Sequence, residues 1–402
     1  MYAELAILAL FVFFYSLFSG RFERTIISGP MIFVFSGLVM GPLVLNWFNG
    51  DVTAIELRVL ADLTLAIILF IDAANTDFSV LKRQLKIPIC MLLLGLPGVI
   101  LLGTILAALL FTELTVFEAA ILATMLAATD AALGKAVITN SAVPARVREG
   151  LNLESGLNDG LCVPILFVFI ALSTGQAESG GGYLLALKLV VQEIGIGLVV
   201  GLGLTWIGTW LSNQCKNRGW QTDIWMQITA VAMAIGCFAS AQALHGSGYI
   251  AAFTGGLLFG FLAKKDTHKL VFAAEGIGET LALMTWMVFG AVVIGQAADT
   301  FTWKMVFYAV LSLTVIRMVP IFFSLAGLGE TTQSRLFLGW FGPRGLASIV
   351  FAIIVLNKNV PHSDFMAMVV TCTVFLSLLS HGISANPLAA WLVKKEQEND
   401  SN

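Results

Sequence analysis

Apolar stretches of about twenty residues follow one another along the whole chain, separated only by short polar breaks. A stretch of that length can cross the hydrocarbon core of a bilayer as one helix. With 58% hydrophobic and only 12% charged residues, the composition excludes an ordinary soluble protein. The sequence therefore predicts an all-α polytopic membrane protein whose main surroundings are a lipid bilayer.

Breaks at Gly, Pro and charge clusters divide the chain into about 13 transmembrane helices. The predicted spans are 2–19, 30–48, 57–75, 87–111, 115–139, 148–174, 183–212, 222–243, 246–263, 271–296, 301–327, 333–357 and 363–393. Fifteen of the 22 Lys and Arg then fall on one side of the membrane, three on the other and four within spans. By the positive-inside rule, we expect a multi-pass protein of the cell (inner) membrane with its N-terminus outside and its C-terminus cytoplasmic.

Thirteen spans can divide into six, one and six, so that two six-span halves lie in opposite orientations on either side of a linker span. This is the arrangement of an inverted repeat. We predict a first six-helix repeat at 1–174, a linker span at 175–212, a second six-helix repeat at 213–393 and a short cytoplasmic tail at 394–402. The fifth and twelfth spans then correspond. Both contain residues that interrupt a helix, and interrupted helices in matching positions of two halves indicate a substrate site. The short loops and tail lead us to expect no soluble regulatory domain.

The sixth span contains the motif NLESGLNDG, with four polar residues in otherwise apolar surroundings. Glu154, Ser155, Asn158 and Asp159 share an arc of about 140° on one helix face. Ser155 and Asp159 are one turn apart, so a hydroxyl and a carboxylate can converge on one small cation. Ser155 or Asn158 alone could simply link helices by hydrogen bonds, but the four together favour an ion site.

The fifth span contains ATDAALGKAV, with Thr129 and Asp130 just past its middle. If the helix unwinds there, the Thr129 carbonyl is available to a cation, and Asp130 can accept from the N–H groups of a half-helix N-terminus. Asp72, in the third span, could tune Asp159 or could simply be a charge at the cytoplasmic helix end.

Two arginines lie well inside predicted spans, and an unpaired intramembrane Arg is costly. We predict that Arg317 pairs with Glu154, and that Arg344, in the GPRG stretch, places its charge against helix C-terminal carbonyls at the broken ends. The four histidines fall near predicted span ends and form no metal-ligand pattern. We expect no cofactor.

The order ATD, ESGLND, an intramembrane Arg and a G-x-RG stretch resembles monovalent cation/proton antiporters of the NhaP/NHE type, the electroneutral branch with an ND motif. The resemblance covers essentially all of the spans. It implies cation coordination by Asp159, Ser155 and the Thr129 carbonyl with Asp72 nearby, support of the helix crossing by Asp130 and Asn158, and an ion pair between Glu154 and an Arg. Two departures are Ala131, where many relatives have Pro, and Asp72, where Glu is common.

The resemblance also implies six-helix inverted repeats, a core domain that moves against a dimerisation domain, and a homodimer. The implied activity is not that of an enzyme. It is one-for-one exchange of a monovalent cation for H⁺ by alternating access, with competition at Asp159. We favour Na⁺, although the same ligand types suit Li⁺ and K⁺, and we expect no nucleic-acid partner.

Two other classes of protein are compatible with acids at membrane depth. An intramembrane aspartyl protease would use two acids that share a proton, but the sequence has no YD and GxGD pairing. A cation channel would also need polar groups at depth, but broken helices in inverted halves suit alternating access better than an open pore.

Overall fold

The computed structural model describes residues 2–22, 28–42, 44–45, 47, 54–76, 86–130, 133, 135–138, 140, 142–176, 182–263, 267–295, 300–358 and 360–400. Within these residues every regular element is a helix. The first seven are α1 Tyr2–Phe22, α2 Gly29–Met40, α3 Ala54–Ala74, α4 Lys86–Leu110, α5 Val116–Met125, α6 Lys135–Ile138 and α7 Ala145–Gln176. The next four are α8 Gly182–Asn217, α9 Asp223–Ala243, α10 Gly248–Ala263 and α11 Thr267–Val288. The last five are α12 Trp303–Leu313, α13 Val315–Ser324, α14 Thr332–Trp340, α15 Leu346–Asn357 and α16 Ser363–Asp400.

Every predicted span contains at least one of these helices, which confirms the all-helical membrane fold. Among the described residues, seven helices are long and apolar enough to cross a membrane, and shorter apolar helices lie in the first, second, fifth, ninth and twelfth spans. The fifth, eleventh and twelfth spans are each divided into two helices, α5 with α6, α12 with α13 and α14 with α15, and in the eleventh the division is at Thr314 alone. The division of the chain into two inverted repeats stays a prediction.

Local chemistry accounts for several helix ends. Thr115 begins α5 with a capping box, in which its hydroxyl accepts from the Glu118 amide and the Glu118 carboxylate accepts from the Thr115 amide. Thr331 caps α14 by accepting from the Ser334 amide at 3.1 Å. Within α4, the π-helical turn Met91–Gly95 comes just before Pro97, which has no amide hydrogen to continue a regular helix.

By its internal contacts the chain forms two compact units. The first comprises Met1–Arg58, Lys86–Ser155 and Ala282–Asn402. Its apolar core includes side chains from α4, α7, α14 and α16, such as Met91, Leu151, Leu338 and Leu392, each at most 3% exposed. This core holds α14 and α16 against the first turns of α7, which is where the polar residues of the sixth span begin.

The second unit comprises Val59–Leu85 and Gly156–Leu281. It contains most of α3 and α11, the later part of α7, and α8 to α10. Helix α10 packs against both α8 and α9, with Cys237, Ala241 and Ala251 fully buried among them. Helix α10 also lies against α3, since a Cβ at Gly256 would collide with the Phe70 carbonyl and one at Gly260 with the Ala74 carbonyl. These contacts fix the helix turn that carries Asp72.

Candidate ion-binding site

The first break in the fold lies between α5, which ends at Met125, and α6, which begins at Lys135. Thr129 lies in this break and is only 2% exposed. Its carbonyl oxygen accepts a hydrogen bond of 2.8 Å from the Ser155 hydroxyl of α7. Its own hydroxyl donates a longer bond of 3.4 Å to Oε2 of Glu154. The break therefore brings a backbone carbonyl and a side-chain hydroxyl together in a buried position.

Glu154 and Arg317 form the ion pair that the sequence predicted. Arg317 of α13 donates from Nη1 to Oε1 of Glu154 at 2.7 Å and from Nη2 to Oε2 at 3.0 Å. Each side chain is only 1% exposed. In this two-bond geometry each ion balances the other, which offsets the cost of removing both charges from water.

The second break lies between α14, which ends at Trp340, and α15, which begins at Leu346. Phe341 has φ −77° and ψ 69°, and the Gly342 amide donates to the Trp340 carbonyl at 2.8 Å. These values describe an inverse γ-turn, which ends the helix. The unwound residues that follow, 342–345, are the GPRG stretch that the sequence analysis matched to the first break.

Arg344 links the two breaks. Its guanidinium Nη1 donates to the carbonyls of Ala127 at 3.2 Å and Ala128 at 3.4 Å, and the residue is completely buried. These carbonyls follow the end of α5, where the helix dipole favours positive charge. The sequence predicted that Arg344 would lie against such carbonyls, and the structure places it there.

Asp130 makes the opposite link. Its amide donates to the Pro343 carbonyl at 2.8 Å, and its Oδ2 accepts from the Leu346 amide at 3.0 Å. Leu346 is the first residue of α15, so the carboxylate lies at a helix N-terminus, where the dipole favours negative charge. Asp130 thus has the environment that the sequence predicted for it.

The two glycines of GPRG leave room for these charged groups. A Cβ at Gly342 would collide with the Arg317 guanidinium, and one at Gly345 would collide with the Asp130 carboxylate. Any larger residue would displace either the ion pair with Glu154 or the Asp130 contact with α15. The four residues of the motif therefore have three functions. Gly342 and Gly345 leave space for charged groups, Arg344 supplies a cation, and the Pro343 carbonyl accepts a hydrogen bond.

A small cavity opens at the first break, where about 10 Å³ is accessible to the centre of a water molecule. That volume suits about one water-sized particle. The cavity is lined by Thr129, Asp130, Val137, Ile138, Leu151, Ser155, Phe341 and Pro343.

Helix α7 is unbroken from Ala145 to Gln176, so it carries Asp159 one turn beyond Ser155. Asp159 is 7% exposed and Asn158 is completely buried. The Asn158 side-chain oxygen accepts from the Cys162 thiol at 3.1 Å. Both residues belong to the second unit, within which Asn158 bonds along its own helix.

Asp72 is partly exposed and lies on α3, in the same unit as Asp159. A Cβ at Gly156 would lie 3.5 Å from the Asp72 Cβ, so α3 and α7 approach closely at this point. Gly156 precedes Asp159 by three residues, which is slightly less than one helical turn. Asp72 therefore lies beside the helix turn that leads to Asp159.

The sequence analysis missed two residues that contact the second break, Ser377 and His381 of α16. The prediction that His381 lies near a span end was wrong, because it is 1% exposed and well within Ser363–Asp400. One signal was present in the sequence, since the two residues lie one helical turn apart in an apolar helix. Ring contacts with Trp340 and Phe341, which no spacing rule predicts, explain why the imidazole is buried.

Comparisons with known proteins identify the family and the fold. The family described as "Sodium/hydrogen exchanger, transmembrane" matches residues 7–391. A Na(+)/H(+) antiporter of Schizosaccharomyces pombe is 22% identical over 420 residues, covering 95% of this chain and 88% of that protein. A K(+)/H(+) antiporter NhaP2 of a Shewanella species is 23% identical over 338 residues, covering 84% of this chain but 58% of that longer protein.

The solved structure of the sodium proton antiporter MjNhaP1 from Methanocaldococcus jannaschii superposes with a TM-score of 0.77 at 20% identity, covering 97% of this chain and 98% of that one. At this identity the likeness shows a shared fold. The resemblance to NhaP-type antiporters stated from the motifs is confirmed. Because the family match extends over residues 7–391, the chain belongs to the sodium/hydrogen exchanger family of transmembrane proteins, which are cation/proton antiporters and not enzymes.

Proposed function

We propose that this protein exchanges one monovalent cation for one H⁺ by alternating access, with both ions competing for the Asp159 carboxylate. The observation that carries the proposal is the 2.8 Å contact between the Ser155 hydroxyl and the Thr129 carbonyl. These two oxygens lie at a helix break, and the helix that carries Ser155 also carries Asp159 one turn further on. A carboxylate, a hydroxyl and a carbonyl are oxygen ligands of the kind that hard cations prefer.

Ion binding requires the Ser155 hydroxyl to rotate. In the structure the hydroxyl donates to the Thr129 carbonyl, so one lone pair of that carbonyl oxygen is occupied. A cation would attract both oxygens, and the hydroxyl hydrogen would turn away. Two neutral oxygens would thus replace part of the hydration shell, while the carboxylate would balance the charge.

One-for-one exchange follows from the charges around the site. Glu154 is neutralised by Arg317, and Asp130 is held at the N-terminus of α15. Asn158, beside Asp159 in the sequence, carries no charge. Asp159 is then the group that carries either a cation or a proton across, and the two loaded states have the same net charge.

We favour Na⁺ as the cation, with Li⁺ and K⁺ as competitors for the same oxygens. The relatives differ in this respect, since the Schizosaccharomyces pombe protein is named a Na(+)/H(+) antiporter and the Shewanella protein a K(+)/H(+) antiporter. We further propose that the protein is a homodimer in the cell (inner) membrane. In this proposal the N-terminus is outside and the C-terminus cytoplasmic, as the distribution of Lys and Arg favours.

The test is transport by purified protein in proteoliposomes that contain a pH-sensitive dye. We expect Asp159→Asn to abolish the proton flux driven by Na⁺, Li⁺ or K⁺, because an amide cannot exchange a proton for a cation. The matched control is Glu149→Gln, which removes a carboxylate from the same helix outside the proposed site. Retained exchange in Asp159→Asn would contradict the proposal.

Competition also predicts a pH dependence. We expect the apparent affinity for the cation to fall as pH is lowered, by up to about tenfold per pH unit where the carboxyl is mostly protonated. The maximal rate extrapolated to saturating cation should change much less. An apparent affinity that is independent of pH between about 5 and about 9 would count against simple competition at Asp159.

A further inference from the structure

The second break is held by one turn of α16, which we call the Ser377–His381 clamp. The clamp consists of the Ser377 hydroxyl and the His381 imidazole, one helical turn apart. Ser377 is fully buried and His381 is 1% exposed. Polar groups buried to this extent need hydrogen-bond partners, and both residues find theirs in the backbone at the two ends of the break.

The Trp340 carbonyl determines the role of one imidazole nitrogen. His381 Nε2 lies 2.9 Å from the Trp340 carbonyl oxygen, which can only accept, so Nε2 donates. The Arg344 amide donates to the Ser377 hydroxyl oxygen at 2.7 Å. His381 Nδ1 lies 3.1 Å from the Ser377 hydroxyl and 3.0 Å from the Ser377 carbonyl oxygen. In a neutral imidazole with its hydrogen on Nε2, Nδ1 accepts from the Ser377 hydroxyl and makes no hydrogen bond to the Ser377 carbonyl.

These bonds bracket the unwound residues. Trp340 is the last residue of α14, and its carbonyl accepts from both the Gly342 amide and His381 Nε2, which uses both of its lone pairs. Arg344 comes four residues later, just before α15 begins. One turn of a rigid helix thus sets the separation between the two ends of the break.

The bracketed residues in turn contact the first break. The Pro343 carbonyl accepts from the Asp130 amide, and the Arg344 side chain holds the carbonyls of Ala127 and Ala128. Thr129 lies between these anchored residues. A displacement of 343–344 would therefore move the Thr129 carbonyl relative to Ser155.

We propose that the Ser377–His381 clamp positions the second break and, through Pro343 and Arg344, the Thr129 carbonyl, so that Ser377 and His381 are positioning residues for cation binding. This inference rests on the proposed function, in which the Thr129 carbonyl is a ligand. Loss of the clamp should therefore raise the cation KM more than it lowers the maximal exchange rate, because it weakens cation binding more than it slows the movement of the loaded protein.

The chain offers a matched control on the same helix. The indole nitrogen of Trp340 donates to the Ser384 hydroxyl at 2.9 Å, about two turns beyond Ser377. Ser384→Ala removes a hydrogen bond from the same tryptophan, but through its side chain and not through the carbonyl that ends α14. A purely structural role of the contacts between α14 and α16 would make the effects of Ser384→Ala and Ser377→Ala alike.

The experiment measures the cation KM and the maximal exchange rate in proteoliposomes for His381→Phe, His381→Gln, Ser377→Ala and Ser384→Ala. We expect His381→Phe to raise the cation KM roughly tenfold, because its ring fills the space but cannot bond to Trp340 or Ser377. His381→Gln, whose amide can still donate to the Trp340 carbonyl, should recover part of the affinity. Ser377→Ala should raise the KM by a few-fold, and Ser384→Ala should leave it unchanged.

Hydrogen exchange of the peptide that covers 340–346 gives a second measurement that does not depend on transport. We expect faster exchange in His381→Phe and Ser377→Ala than in wild type or Ser384→Ala. Wild-type KM and wild-type hydrogen exchange in a folded Ser377→Ala would overturn the proposal, even if His381→Phe fails to fold. If wild type itself showed no cation-driven proton flux, the proposed function would fail, while the hydrogen-exchange result would still decide whether the clamp orders the break.

Discussion

The two broken helices offer opposite chemistry at their breaks. The first, after α5, exposes carbonyl oxygens of Ala127, Ala128 and Thr129. The second, before α15, exposes the amide of Leu346. A helix C-terminus carries partial negative charge and a helix N-terminus partial positive charge, so each break needs a side chain of the opposite sign.

Each break supplies the side chain that the other one needs. Arg344, from the second break, donates to the carbonyls of Ala127 and Ala128, while Asp130, from the first, accepts from the Leu346 amide. This reciprocal arrangement leaves one difference. The Thr129 carbonyl accepts from the Ser155 hydroxyl, which can rotate. Among the contacts described above, a carbonyl oxygen paired with a hydroxyl oxygen in this way occurs only at the first break. A cation is therefore better accommodated on the carbonyl side of the crossing.

Among the variants that test this comparison of the two breaks, we expect Arg344→Gln to have the largest effect on stability and exchange. The variant leaves the carbonyls that follow α5 without a positive charge, and we expect a loss of about 3 kcal/mol of stability together with loss of exchange. Thermal unfolding in detergent and the proteoliposome assay measure the two effects. Arg335→Gln, which removes the same charge from α14, is the control, since its guanidinium lies 4.3 Å from the Phe322 ring and contributes about 1 kcal/mol or less. Equal destabilisation by the two variants would show that the carbonyls do not need Arg344.

Gly345→Ala tests the reciprocal contact. The new methyl group would collide with the Asp130 carboxylate and displace it from the Leu346 amide, at a cost of about 1 to 3 kcal/mol. We expect slower exchange and a lower unfolding temperature. Gly203→Ala in α8 is the control, because no heavy atom lies within 4 Å of the position that its new methyl group would take, and there the helix should gain slightly in stability. Unchanged exchange and stability in Gly345→Ala would show that the Asp130 contact can shift without consequence.

Substitutions at the first break separate the hydroxyl of Thr129 from its carbonyl. Thr129→Val keeps the carbonyl and removes only the 3.4 Å bond to Glu154, so we expect the cation KM to stay within about twofold of wild type. Ser155→Ala removes a proposed ligand and should raise the KM about tenfold. Transport assays at several cation concentrations distinguish the two. An equal increase of the cation KM in both variants would show that Thr129 binds the cation through its side-chain hydroxyl and not through its carbonyl.

Several features of the fold followed from the sequence with simple physics. Apolar runs of about twenty residues predicted the helices, and the Thr-Asp and Gly-Pro interruptions predicted where two of them break. The ion pair of Glu154 with Arg317 was predictable because an isolated buried charge of either sign is too costly. Arg344 and Asp130 were placed by the same reasoning applied to helix dipoles.

Other features depend on three-dimensional proximity that no spacing encodes. The roles of Gly342 and Gly345 become clear only when Arg317 and Asp130 are seen against them, since those residues are distant in the sequence. The burial of His381 depends on Trp340 and Phe341, about forty residues away. Its sequence neighbours suggested only an apolar helix.

The sequence by itself determined that the chain spans a membrane many times, which two helices break, and which acids and arginines lie at depth, because hydrophobicity and charge are local properties. Only the tertiary structure decided which atoms pair across the two breaks and which turn of α16 holds them. Those contacts depend on distances of about 3 Å between atoms far apart in the chain, and such distances exist only after the helices have packed.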